Sequence, residues 1–113
     1  MSARLSSSVL VGALLRRTAA HGGFAAVLAK GDASAGSILI ILAERGQRMR
    51  VLERLLQPDG RYLWQDTSAQ AVGSEAEIER IIERRRKYDP DLWVVELDIP
   101  SAERFAAEMN AFN

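Results

Sequence analysis

The chain has 113 residues, with no cysteine and a single histidine, His21. The first absence excludes disulfides, thiol catalysis and the common zinc sites. The second excludes a histidine-rich metal centre within one chain. An excess of charge is missing too: 15 basic and 15 acidic residues give a formal net charge of zero. No global field therefore draws the chain toward polyanions, and dedicated nucleic-acid modules are usually clearly basic. No apolar run is long enough to span a bilayer, so no membrane partner is expected. Aromatic residues make up only 6%, and a small domain needs most of these for packing.

What remains is ordinary for a folded protein, 48% hydrophobic and 27% charged. This length supports one domain over 1–113 with a single core. No acid precedes Asp32, and Arg4, Arg16, Arg17 and Lys30 are the only charges before it. That resembles a transit peptide, and LSSSVLVGALL resembles a short signal segment. The run ends in Arg16-Arg17 without a clear cleavage signal, which favours a structural first helix in a cytoplasmic protein.

Periodicity supplies the elements. Leu10, Val11, Leu14, Leu15 and Thr18 form one helical stripe, opened by one of Ser6, Ser7 or Ser8 and closed by Gly22-Gly23. FAAVLAK (24–30), SILIILAE (37–44), RMRVLERLL (48–56) and RYLWQD (61–66) read as four strands. The unbroken run Ile38–Leu42 points to a strand covered on both faces or central in its sheet. Short turns between strands favour an antiparallel meander. SEAEIERIIERRRKY (74–88) is the clearest helix, with a capping box at Ser74 and Glu77 and a buried side marked by Ile78, Ile81, Ile82, Arg85 and Tyr88. LWVVELDI (92–99) is a fifth strand, and Ser101 is placed to cap a final helix. The order α-β-β-β-β-α-β-α gives an α+β fold, a mainly antiparallel sheet of about five strands with helices on one face. The core is expected over about 5–99, with a helical tail over 101–113.

Three constellations invite a chemical reading. Arg84, Arg86 and Lys87 sit in a run of four cations, but acids early in a helix and bases late in it are what its dipole favours, at up to ~1 kcal/mol each. Arg48, Arg50 and Arg54 recur with period two on one strand, and Tyr62 and Trp64 share a face of the next. Facing the same side, they would offer cations and stacking surfaces to a single strand of nucleic acid; facing the core, the two aromatics simply pack. Glu96 and Asp98 share a strand face, roughly 7 Å apart, near enough for Mg²⁺ or Mn²⁺. The lysine that nuclease-like sites place beyond such a pair is absent. GDASAG (31–36) is glycine-rich but lacks the phosphate-loop spacing and links two strands. His21, near a helix end, reads as a cap.

ALLRR (13–17), GGFAAVL (22–28), GD followed by AG (31–36), GRYLW (60–64) and DPDLWVVEL (89–97) together resemble a family of small alphaproteobacterial proteins catalogued only as a domain of unknown function. The resemblance runs over roughly 5–99, outside the tail. It implies a bacterial cytosolic protein and carries no activity, cofactor or catalytic residue. With no complete catalytic set and no cofactor expected, the leading expectation is a non-enzymatic binding or adaptor module. Phe105, Met109 and Phe112 of the tail form an apolar stripe able to cover the sheet within the chain or across a homodimer. The alternatives are a nucleic-acid-binding module using the arginine-rich strand and helix end, and a divalent-metal-dependent hydrolase using Glu96 and Asp98.

Overall fold

A computed structural model describes residues 5–67 and 75–110. Ser6 opens the first helix, its Oγ accepting from the Val9 N–H at 3.4 Å. Helix α1 then runs Ser7–Ala20. His21 closes it with ring Nδ1 2.9 Å from the Arg17 carbonyl oxygen. Gly22, at φ +81°, turns the chain into the sheet through the left-handed region that glycine enters without strain. The strands are β1 (Phe24–Ala29), β2 (Ile38–Glu44), β3 (Gln47–Leu56), β4 (Tyr62–Asp66) and β5 (Trp93–Asp98). Helix α2 spans Glu75–Tyr88 and α3 spans Ala102–Met109. Element order and class are those expected from the sequence.

The sheet order is β1-β5-β2-β3-β4. The antiparallel meander holds for β2, β3 and β4 alone. Strand β5 inserts between β1 and β2, antiparallel to the first and parallel to the second. The reason lies in β2, buried from Ile38 through Ala43. A strand with apolar side chains on both faces needs cover above and below it and a strand on either side, and β5, itself buried on both faces through Trp93, Val94 and Val95, lies beside it.

Helices cover both faces, which corrects the expectation of one. On the first face, Leu10, Val11 and Leu14 of α1 and Ala102, Phe105 and Met109 of α3 meet Ile40, Leu42, Leu52, Trp64 and Val95. On the second, Ile78 and Ile82 of α2 meet Leu39, Ile41, Val51 and Val94. Alternate residues of β2 thus feed two separate cores, and α2 carries the remaining apolar stripe that can close the second. Tyr88, placed on the buried side of α2 by its spacing, is 77% exposed at the helix end. Ser101 adopts φ +58° and makes no side-chain cap; the α3 N-terminus is capped instead by Glu44 Oε1, which accepts from the Ala102 N–H at 2.9 Å. Ser74 and Phe112 lie outside the described residues.

Candidate functional site

Arg48 and Arg50 do not share a face. Leu42 pairs with Arg50 and Ala43 with Arg48, so Met49 is an extra residue in β3. Such a bulge shifts the side-chain alternation by one. Arg48 turns toward α2, where its guanidinium meets Glu96 (3.1 Å), Glu79 (2.6 Å) and Glu75 (3.3 Å). Its side chain is only 14% exposed. The hydrogen bond to Glu96 is the largest of the effects that raise Arg48 above the ordinary arginine range, against an opposing cost of burial. Arg50 turns toward α3 and meets Asp66 (2.5 Å) and Glu103 (2.8 Å). It too is raised, chiefly by Glu103. The arginine ladder is thereby divided into two ion-pair groups that pin helices to opposite faces.

Arg54 remains on the face of Arg50, across from Trp64 in the β3–β4 ladder. Its guanidinium lies 4.2 Å from the centre of the Tyr62 ring, a cation–π contact. Trp64 is 5% exposed and belongs to the first core. The stacking platform considered for nucleic acid is therefore reduced to one half-buried tyrosine already covered by arginine.

Glu96 and Asp98 share the α2-facing side of β5, as their spacing requires, but each has a protein partner. Glu96 holds Arg48. Asp98 accepts from the backbone N–H groups of Arg45 (3.0 Å) and Gly46 (2.7 Å). Both turn residues have positive φ, +54° and +79°, the geometry of a tight two-residue hairpin turn. Asp98, aligned with Ala43 across the parallel pair, thus clamps the β2–β3 turn. Among the described residues no group of three or more histidine, aspartate or glutamate side chains is placed to hold a metal ion.

The GDASAG loop is filled by the protein itself. Its Ala33 and Ser34 carbonyls accept from the first N–H groups of α1, those of Ser8 and Ser7, and Ser7 Oγ donates to the Gly36 carbonyl at 2.6 Å. Its other side rests on β5: the Asp32 N–H donates to the Asp91 carbonyl, and Trp93 Nε1 donates to the Asp32 carbonyl at 2.8 Å. The two glycines and the DPDLW stretch form one packed unit.

At the end of α2, Arg85 reaches Glu53 of β3 at 2.5 Å, a contact that raises its guanidinium further. Arg84, Arg86 and Lys87 are exposed. Phe105 and Met109 are buried against their own sheet, so α3 provides cover within the chain and offers neither side chain to a second copy.

Sequence spacing gave no sign of the two sheet edges, because an edge is defined by strand order. The edges are unlike each other. At β4, the side-chain amide of Asn110 pairs with Trp64 as a neighbouring strand would: Oδ1 accepts from its N–H at 2.7 Å and Nδ2 donates to its carbonyl at 3.2 Å. At β1, no further strand follows among the described residues. Its run FAAVLA carries no charge, and Phe24 (80%), Val27 and Leu28 are exposed.

These features define a small α+β domain, a mixed five-stranded sheet between helical layers, whose charged side chains mainly lock helices and turns in place. The chain belongs to the DUF1491 family of proteins of unknown function, whose model matches residues 5–107. That span takes in most of α3 and so reaches past residue 99 into the tail. A DUF1491 family protein from Caulobacter crescentus CB15, solved by NMR, is 34% identical with a TM-score of 0.75, covering 89% of this chain and 91% of that one. A crystal structure of a DUF1491 family protein from the same organism gives 34% identity and 0.76, covering 84% and 88%. A protein from A. tumefaciens is 32% identical with a TM-score of 0.72, covering 88% and 89%. The comparison with curated proteins gave no match.

Proposed function

We propose that the chain is a non-enzymatic binding module of the bacterial cytoplasm that engages an extended protein segment along β1. The observation that carries this is the contrast between the edges. β4 is occupied at Trp64 by Asn110, while among the described residues β1 ends the sheet as an uncharged strand with Phe24, Val27 and Leu28 exposed. A strand that ends a sheet presents a row of backbone donors and acceptors to an added strand, and its side chains supply the apolar grip. The two carboxylates considered for catalysis are engaged within the chain, Glu96 by Arg48 and Asp98 by the β2–β3 turn, which supports a role that needs no reacting group. Backbone amide shifts, recorded while an uncharged valine-threonine strand peptide is titrated in, test the reading. It expects shifts concentrated in β1, and their absence there at millimolar peptide would overturn it.

A second reading rests on the end of α2. Arg84, Arg86 and Lys87 are exposed beside the exposed ring of Tyr88, over which the Lys87 ammonium lies 5.8 Å from the ring centre. Arg86 and Lys87 line a cleft of about 400 Å³ with Lys30, although Glu83 and Asp89 share its wall. Cations with an accessible aromatic ring fit a single-stranded nucleic acid. Anisotropy of a labelled oligonucleotide at rising salt tests it: binding should weaken steeply with salt, and no binding at low salt would eliminate it.

A further inference from the structure

Resting on the β1 reading, we infer that the occupant of this edge is a second copy of the same chain, paired antiparallel through β1 across a two-fold axis. Four observations converge. The strand bears no charge from Phe24 to Ala29, and the chain is neutral overall. Self-pairing therefore places no like charges opposite each other. Second, its large side chains lie toward its ends, with Ala25 and Ala26 between. An antiparallel axis through the middle brings Phe24 of each copy across from the Val27–Leu28 end of the other, an isologous contact.

Third, among the described residues the β4 edge is occupied at Trp64 and the β1 edge is not. With the outward N–H and carbonyl of Trp64 taken by Asn110, the middle of β4 is blocked against β1 of the next copy. Pairing through β1 thus closes at two copies and forms one continuous ten-stranded sheet, whereas head-to-tail pairing would propagate. Fourth, an apolar edge left bare is an aggregation hazard, so its cover must be present whenever the chain is. A second copy rises in step with the chain itself, and pairing sets in at the high concentrations where edge-to-edge aggregation threatens.

The contact is modest. Regular β1–β5 pairing runs from Phe24 to Val27 before a bulge, and bulges bend a strand and limit further pairing. A strand of this length, about 20 Å, buries less than the roughly 800 Å² per partner of a standard interface. An interface of that class belongs with weak, concentration-dependent association.

Sedimentation equilibrium of the full chain from low micromolar to several hundred micromolar is the test, with hydrogen exchange on the same samples. The expected result is a monomer–dimer equilibrium with β1 amides protected at high concentration. Phe24→Glu and, separately, Val27→Lys should weaken it at least about tenfold while the circular dichroism and melting temperature stay unchanged, because both side chains are exposed. A monomer over the whole range would overturn the inference and leave the strand-peptide titration to decide whether β1 binds another protein. A dimer insensitive to both substitutions, with β1 amides unprotected, would also overturn it, since the contact would lie elsewhere.

Discussion

Arg48 and Arg50 stand two positions apart on β3 and point to opposite faces of the sheet, because Met49 between them is an extra residue opposite the adjacent partners Ala43 and Leu42. Arg48 is the better buried and holds Glu75, Glu79 and Glu96. Arg48→Met would leave three carboxylates facing one another, Glu96 among them half-buried. The expected loss is about 2–3 kcal/mol, below the full penalty for a broken buried pair because Glu75 and Glu79 are largely exposed. Arg50→Met, at a more open site, should cost under about 1 kcal/mol. Urea unfolding of the two variants checks the ratio, and equal losses would contradict the division of faces. The pH dependence has a definite sign. Arg48 is raised in the folded state, so its contribution is complete below the ordinary arginine range and lost only as pH rises beyond it. Between roughly pH 6 and 10 this group should add no slope to stability.

Gly31 and Gly36 bring the GDASAG loop onto β5. A Cβ at either position would fall on the Asp91 carbonyl oxygen, with the Leu92 or Asp32 backbone close behind. Neither obstacle is a flexible side chain, so Gly31→Ala and Gly36→Ala should each cost at least about 2 kcal/mol. Gly12→Ala is the control. In the interior of α1 the added methyl meets only the tip of Arg16, and helix propensity favours alanine by up to ~1 kcal/mol. Thermal melts should therefore fall for the first two and rise slightly for the third.

Asp98 serves the β2–β3 turn. Asp98→Ala orphans the Arg45 and Gly46 N–H groups and should cost about 2 kcal/mol; Asp98→Asn, which keeps one acceptor, about half that. With Glu96 engaged by Arg48 and Asp98 by the turn, Mg²⁺ or Mn²⁺ at millimolar concentration should leave the melting temperature of the native chain unchanged. A rise that Asp98→Ala abolishes would restore the metal reading.

Local rules made much of this legible. The Ser6 cap, the Gly22 exit, the α1 stripe and the strand sequence follow from side-chain chemistry within a few residues, and each strand lies within one residue of its expected limits. The unbroken apolar run of β2 also carried the correct implication that both its faces are covered. That implication outweighed the simpler one-face arrangement, because a strand buried on alternate sides needs two cores. The Arg48/Arg50 split was hidden for a specific reason: one extra residue reverses the alternation, and nothing in RMRV marks a bulge. The Asp98 clamp and the Asn110 plug join residues 46 or more positions apart. They depend on β5 lying beside β2 and on α3 ending over β4, relations that no local spacing contains. The same holds for β1, whose composition was readable but whose place at the edge was set by the insertion of β5.

Asn110 is the residue through which the closure of the β4 edge can be tested. Asn110→Ala frees the N–H and carbonyl of Trp64, two backbone groups its side chain now satisfies. Part of that loss is made good by water at the rim, so the stability cost should be about 1 kcal/mol. The larger effect is on association, because each chain would then carry two open edges. Strands β1 and β4 of successive copies could then pair head to tail, an arrangement that does not close. Light scattering at several hundred micromolar should show masses that keep growing with concentration in Asn110→Ala, and Phe24→Glu in the same background should suppress the growth. Unchanged association in Asn110→Ala would mean that the amide stabilises α3 without guarding the sheet.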